Sequence, residues 1–237
     1  MVRFTLFGIP VTIEPLFWLT TFLLGGGTGL ASAESSRSDL VWIFVWMLVA
    51  CFSILVHEFG HALTARKLSG GRNWIRLWAL GGLAYHDQAR PTRKERLWTI
   101  FMGPGAGLLL FLITCLVIIA VYGPTNGLGF IKINLTGEYL LSPPIYDIAI
   151  SPAGKLFKNF IWINFWWSLI NMLPVFPLDG GQFFSEWTGK RQLAHKVGAF
   201  TGGLVALIAF LLFQKWYLAL MFGFLAYNNY NQANDKY

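Results

Sequence analysis

Two histidines and a glutamate lie close together within a long apolar stretch of this sequence, at His57, Glu58 and His61. Residues four apart on an α-helix lie on the same face, so both imidazoles can bind a single metal ion. Glu58 is rotated by about 100° from His57 on a helix of 3.6 residues per turn, so its carboxylate can reach a water on the metal without being a ligand. The pattern therefore predicts a metal site in which Glu58 is the general base.

A purely structural role is the alternative for these histidines, because imidazoles between packed helices can be satisfied by hydrogen bonds. Three ionisable groups within five residues are costly at membrane depth, however, unless they have a function. The cost favours metal binding over a structural role.

The composition is that of a membrane protein. Hydrophobic residues make up 55% of the 237 residues and charged residues only 12%, whereas soluble domains carry about 25% charged residues. The two cysteines, Cys51 and Cys115, lie in apolar runs and predict neither a disulfide framework nor a redox motif. The formal net charge of +7 comes from basic residues beside apolar spans, which indicates membrane topology signals and contacts with anionic lipid rather than nucleic acid.

The sequence predicts an α-helical polytopic membrane protein with about six transmembrane helices and a small membrane-associated β-hairpin or sheet. The predicted spans are residues 16–24, 40–68, 97–122, 157–173, 197–213 and 216–227. We treat residues 1–237 as one membrane-embedded domain. It comprises an N-terminal strand and first span (1–39), a core that holds the chemistry (40–190), and a C-terminal helix pair and tail (191–237).

The segments between the spans give the orientation. Residues 66–96 hold eight of the eighteen basic residues, which predicts a cytoplasmic loop, both termini in the cytoplasm and a site toward the cytoplasmic side, in a multi-pass protein of the cell (inner) membrane. Within this loop, residues 74–85 predict a hairpin against the membrane with Gly81 and Gly82 as its turn. Residues 123–154 predict an outer loop, and residues 228–237 a polar tail.

A catalytic zinc ion uses three protein ligands and keeps a fourth position for water, so two histidines leave one ligand to be found. Asp179 is the favoured candidate, because it follows a segment in which Pro174 and Pro177 break a helix at membrane depth. The alternative for Asp179 is an ordinary turn or helix-capping aspartate. His86 and His195, in polar cytoplasmic segments, are the substitutes for it.

Two motifs together resemble the site-2 proteases, zinc metalloproteases that cut transmembrane segments. They are His-Glu-Phe-Gly-His at residues 57–61 and Asn-x-x-Pro-x-x-Pro-Leu-Asp-Gly at residues 171–180. The resemblance implies a membrane protease in which the two histidines and Asp179 bind Zn²⁺ and Glu58 activates water. The chain is expected to be a minimal six-span form without a PDZ or CBS domain.

The resemblance also implies how substrate is held. Asn171, with Pro174 beside it, is expected to contact the substrate backbone, and the hairpin that contains Gly81 and Gly82 is expected to pair with an extended substrate strand. The expected partners are a transmembrane protein substrate and the lipid bilayer, with no nucleic acid. The oligomeric state is not predicted.

Two other functions remain open at this stage. A metal or ion transporter also places His and Asp on broken helices, but the sequence shows no inverted repeat. An inactive receptor that keeps the fold is the second alternative, and the intact Glu58 argues against it, because a binding protein needs no base beside its metal ligands.

Overall fold

The structure is a computed structural model of the chain, and it describes residues 1–25, 37–79, 81–87, 91–137 and 142–234. Helices dominate this part of the chain, with one small sheet. In chain order the elements are β1 (Val2–Leu6), β2 (Ile9–Ile13), α1 (Pro15–Leu24), α2 (Arg37–Ser69), β3 (Arg72–Trp78), β4 (Gly81–Asp87), α3 (Arg93–Tyr122), α4 (Pro124–Thr136), α5 (Pro143–Ile150), α6 (Pro152–Asn171), α7 (Asp179–Thr188), α8 (Arg191–Leu211) and α9 (Trp216–Asn234).

Three helices among the described residues are long and apolar enough to cross a membrane: α2 from Asp39, α3 and α8. They confirm the predicted class of helical membrane protein and coincide with the second, third and fifth predicted spans. Helix α1 has only 10 residues, about 15 Å at 1.5 Å per residue, which is half the thickness of the hydrocarbon layer. Helices α6 and α9 cover most of the fourth and sixth predicted spans, but they are not among the helices that are both long and apolar enough to cross a membrane. The count of six spans therefore stays a prediction.

The four strands form one sheet in the order β1-β2-β3-β4. Strand β2 runs antiparallel to β1 and parallel to β3, and β3 runs antiparallel to β4. Alternate residues of β2, namely Ile9, Val11 and Ile13, are buried against α2 in one cluster with Phe59 and Ala62. The sheet therefore packs on the helix turn that carries the two histidines.

The predicted hairpin is present, but its glycines are not the turn. Gly81 pairs with Trp78 and Gly82 with Leu77, so both belong to the first part of β4. The physical reason is that β4 approaches the buried Glu58 so closely that a side chain at Gly82 would have no room.

The outer loop predicted at residues 123–154 is wrong, because most of it is helical. Helices α4 and α5 each begin with a proline in the first turn, a position where proline is favoured because its missing N–H would have no helical partner. Phe130 of α4 and Ile148 of α5 are buried against Ile118 of α3 and Ile161 of α6. Burial of this apolar face outweighs the turn-like composition of the segment.

The predicted polar tail at residues 228–237 is also largely wrong. Helix α9 continues to Asn234, and residues 235–237 lie outside the described residues. Asn229 is only 1% exposed. Its amide faces the interior, and this inward direction explains why a polar sequence continues a packed helix.

Candidate metal centre

Three ligand atoms from two distant parts of the chain converge on one point. His57 and His61 lie one turn apart on α2, and Asp179 is the first residue of α7. Oδ2 of Asp179 lies 3.0 Å from Nε2 of His57 and 3.3 Å from Nε2 of His61, and the two Nε2 atoms are 3.2 Å apart. Two imidazoles and a carboxylate are the donor set of many catalytic zinc sites, with the fourth position left for water. The residues present fit a zinc ion.

The site lies inside the protein, on a helix that is apolar over most of its length. His57, Glu58 and His61 are 2%, 4% and 8% exposed, and α2 is one of the candidate spans. Buried ionisable groups are stable only when they pair with one another or bind a metal. In the described residues, His57, His61 and Asp179 are the one group of three such side chains whose ligand atoms meet.

Helix α3 fixes the orientation of His61. Nδ1 of His61 lies 2.8 Å from the carbonyl oxygen of Thr99, and because a carbonyl only accepts, Nδ1 carries the proton and Nε2 is free to bind a metal. A Cβ atom on Gly103 would collide with the His61 ring, and one on Gly60 would collide with the carbonyl of Met102. These glycines allow the two helices the close approach that the small residues of α3 predict.

Strand β4 covers the glutamate. A Cβ atom on Gly82 would collide with the carboxyl group of Glu58. Gly81, at a φ of +124°, packs on the ring of Trp167, which would be 2.8 Å from a Cβ atom. Glycines inside a strand often mark such a close approach.

A break in the helical chain places Asp179. Helix α6 ends at Asn171, and residues 172–178 are not helical, because Pro174 and Pro177 provide no N–H for a helical hydrogen bond. A Cβ atom on Gly180 would collide with the carbonyl of Met172. Helix α7 therefore begins directly against the unwound segment, and this contact sets the position of its first residue.

The side chains expected to hold substrate lie near this break. Asn171 is buried, and its Nδ2 donates to the carbonyl of Trp167 at 2.9 Å within α6. Pro174 is partly buried, and its carbonyl oxygen would lie 3.2 Å from a Cβ atom on Gly198. The substrate-binding roles of Asn171, Pro174, Gly81 and Gly82 stay predictions.

Of the two remaining histidines, the structure describes the side chain of His195, and it does not join the group. His195 is buried rather than solvated. Its ring stacks on that of Phe176, with the ring centroids 4.5 Å apart, and its Nδ1 lies 3.3 Å from Oδ1 of Asn229. The side chain of His86 lies outside the described residues. The sequence does not predict a role for Asn229, because Asn228, Asn231 and Gln232 beside it are also amides and nothing in the pattern shows which one is buried.

Comparison with known proteins gives a family match over most of the chain. A family model described as peptidase family M50 matches residues 44–213. Zinc metalloprotease MJ0392 of Methanocaldococcus jannaschii is 25% identical over 228 residues, which cover 95% of this chain and 54% of that protein. A protein of Synechocystis sp., provisionally named a zinc metalloprotease, is 28% identical over 216 residues, which cover 86% of this chain and 50% of that protein. The chain thus spans about half the length of these curated relatives.

A solved structure shares the fold. The structure titled site-2 protease from Methanocaldococcus jannaschii matches with a TM-score of 0.54 and 19% sequence identity, and the match covers 100% of this chain and 96% of the other. At this level of identity the match supports the arrangement of helices and sheet and is silent on chemistry.

Replacing the aspartate that completes the site tests its geometry. Asp179→Asn keeps the shape of the side chain but removes its charge. Loss of a residue that only supports a metal ligand lowers metal affinity by up to about 100-fold, and Asp179 is itself a ligand. We therefore expect the affinity of the purified chain for Zn²⁺ to fall by more than about 100-fold. The measurement is competition with a chelating dye. Asp147→Asn, on an exposed position of α5, is the matched control. Equal affinity in the two variants would contradict the assignment of Asp179.

Proposed function

This chain belongs to peptidase family M50, and we propose that it is an intramembrane zinc metalloprotease that hydrolyses peptide bonds within transmembrane segments of other membrane proteins. The family match confirms the predicted resemblance. One observation carries the proposal: three metal-ligating atoms meet within 4.8 Å, next to a buried glutamate, on an apolar helix long enough to cross a membrane. Hydrolysis of a peptide bond at membrane depth needs these groups together.

Each residue of the centre has a defined task. His57, His61 and Asp179 would hold the zinc ion, which supplies a Lewis acid that polarises a peptide carbonyl and lowers the pKa of a water. Glu58 accepts a proton from the attacking water and delivers it to the leaving amide nitrogen as the C–N bond breaks. The carbonyl of Thr99 keeps the proton of His61 on Nδ1, so that Nε2 faces Asp179 at every stage.

The sheet offers a place for the substrate backbone. A transmembrane helix hides its carbonyl groups in hydrogen bonds, so it must unwind before attack, and the freed groups need new partners in a layer without water. Strand β4 ends the sheet order and pairs with β3 on one side only, within the described residues. An extended peptide added along the open edge of β4 regains main-chain hydrogen bonds and lies beside Glu58, on which Gly82 packs.

The basic residues support a cytoplasmic position of the site. Arg93 at the start of α3 donates to the carbonyl oxygens of Glu186 and Trp187 at the end of α7, and Arg96 pairs with Glu186 at 2.8 Å. The basic start of α3 and the end of α7 therefore lie on one side of the protein. By the positive-inside rule this side is cytoplasmic. We place the chain in the cell membrane as a multi-pass protein with both termini inside. The role proposed for it there is regulated intramembrane proteolysis.

Replacing the base separates chemistry from metal binding. Glu58→Gln removes the proton acceptor but none of the three ligands, so we expect normal zinc content and a loss of at least about 100-fold in the rate of cleavage, the low end of general-base contributions. The assay uses purified protein and a model transmembrane peptide in detergent, with products identified by mass spectrometry. Cleavage at the wild-type rate would remove Glu58 from the mechanism.

The close approach of β4 to the glutamate gives a second test. Gly82→Val places a branched side chain where the Glu58 carboxyl group lies, so we expect cleavage to fall by about 100-fold or more while zinc stays bound. Leu83→Val, at an exposed position on the same strand, is the control and should retain activity. Full activity of the Gly82 variant would show that β4 does not pack on the base.

A further inference from the structure

Asn229 of α9 is buried beside the unwound segment that leads to the metal ligand. It is 1% exposed, and it lies 50 residues along the chain from Asp179. A buried amide costs free energy unless each of its hydrogen-bonding groups has a partner. The partners of this amide therefore indicate what it does.

All four hydrogen-bonding positions of the Asn229 side chain are used. Nδ2 donates to the carbonyl oxygens of Phe176 and Leu225, both at 2.8 Å. Oδ1 accepts from the backbone N–H of Phe176 at 3.3 Å and lies 3.3 Å from Nδ1 of His195. Because an amide oxygen only accepts, Nδ1 of His195 carries the proton. The amide is saturated, and its orientation is fixed by two donors on one side and two acceptors on the other.

Phe176 depends on this amide. It lies in the middle of residues 172–178, where the helical pattern is interrupted. Phe176 belongs to no helix or strand. Within the described residues, neither its N–H nor its carbonyl oxygen forms a hydrogen bond with another main-chain group. Asn229 supplies both bonds, as a neighbouring strand would. A side chain that pairs with both groups of one residue fixes the path of the backbone at that point.

The path of the backbone at Phe176 is transmitted to Asp179, three residues later. The N–H of Leu178 donates to the carbonyl of Val175 at 2.9 Å, and a Cβ atom on Gly181 would lie 2.6 Å from the backbone nitrogen of Phe176. The turn between Phe176 and α7 therefore has little freedom. A shift of Phe176 would shift the carboxylate of Asp179 relative to the two imidazoles of α2.

Two residues of α8 hold the amide in place. His195 is buried, bonds Oδ1 of Asn229 and stacks on the ring of Phe176 with an interplanar angle of 29°. Gly198 leaves the space that Asn229 occupies, because a Cβ atom there would collide with Oδ1 and lie 2.9 Å from Cγ. The C-terminal helix pair is thus joined to the metal-ligating segment by polar contacts as well as by apolar packing.

We propose that Asn229, held by His195, is a positioning residue that sets the place of the metal ligand Asp179 by pairing with both main-chain groups of Phe176. The inference rests on the proposed function in that Asp179 binds zinc. Leucine and aspartate cannot take this role: leucine has no hydrogen-bonding group, and aspartate has no donor for the carbonyl of Phe176. Loss of an outer-shell partner typically lowers metal affinity by about 10- to 100-fold.

The first test compares two asparagines of α9 in the purified chain. Asn229→Leu keeps the branched shape of the side chain but removes every bond to Phe176, so we expect the affinity for Zn²⁺, measured against a chelating dye, to fall by about 10- to 100-fold. Asn234→Ala is the control, since Asn234 is exposed and its Nδ2 bonds only the carbonyl of Tyr230 in its own helix. Its affinity should equal that of the wild type.

The second test keeps Asn229 and displaces it. Gly198→Ala adds a methyl group against Oδ1, and Gly203→Ala adds the same group on the same helix where nothing lies within 4 Å. We expect weaker zinc binding only in the first variant. Alanine favours a helix over glycine, so this pair carries the test should Asn229→Leu fail to fold.

The outcomes separate this inference from the function on which it rests. A positioning role predicts that saturating zinc restores cleavage in the Asn229 variant, because the ligands and Glu58 are intact, and that the visible spectrum of bound Co²⁺ changes. Wild-type zinc affinity in both the Asn229 and the Gly198 variants would overturn the inference and leave the protease proposal standing. A wild-type chain that binds no zinc would overturn both.

Discussion

The structure depends on one constraint: ionisable groups buried in an apolar helix bundle must satisfy one another. His57 and His61 project from α2 into the protein interior, where they are 2% and 8% exposed, and the carboxylate of Asp179 meets both at 3.0 and 3.3 Å. Helix α3 provides the carbonyl of Thr99 behind His61, and strand β4 lies over Glu58. Each neighbouring element is placed so that a group of the centre has a partner, and a metal ion binds the ligand atoms that remain.

The same constraint explains how the chain uses non-helical backbone. Irregular backbone within a membrane protein is stable only where protein or water satisfies its polar groups, and here it occurs where the chemistry needs it. The break at residues 172–178 delivers Asp179 and is satisfied through the side chain of Asn229. Within the described residues, strand β4 pairs with β3 on one side only. Under the proposed function, the open side of β4 is where a substrate strand pairs.

The amino-acid sequence predicts the centre better than its surroundings. The spacing of His57 and His61 is sufficient because a helix places residues four apart on one face, and Asp179 follows from depth and from the cost of a buried carboxylate. The glycines of β4 were assigned to a turn because the sequence does not show that Glu58 lies beneath them. Helices α4 and α5, and the role of Asn229, depend on contacts with distant elements, which local composition does not encode.

The most direct measurement is X-ray absorption at the zinc edge of the purified chain. Two imidazoles of one helix and one distant carboxylate predict nitrogen and oxygen scatterers at about 2.0–2.1 Å, with the outer-shell pattern of two imidazole rings. A sulfur scatterer at about 2.3 Å, which would bring in a cysteine such as the buried Cys51, would contradict the account. A third imidazole ring in the spectrum would contradict it equally.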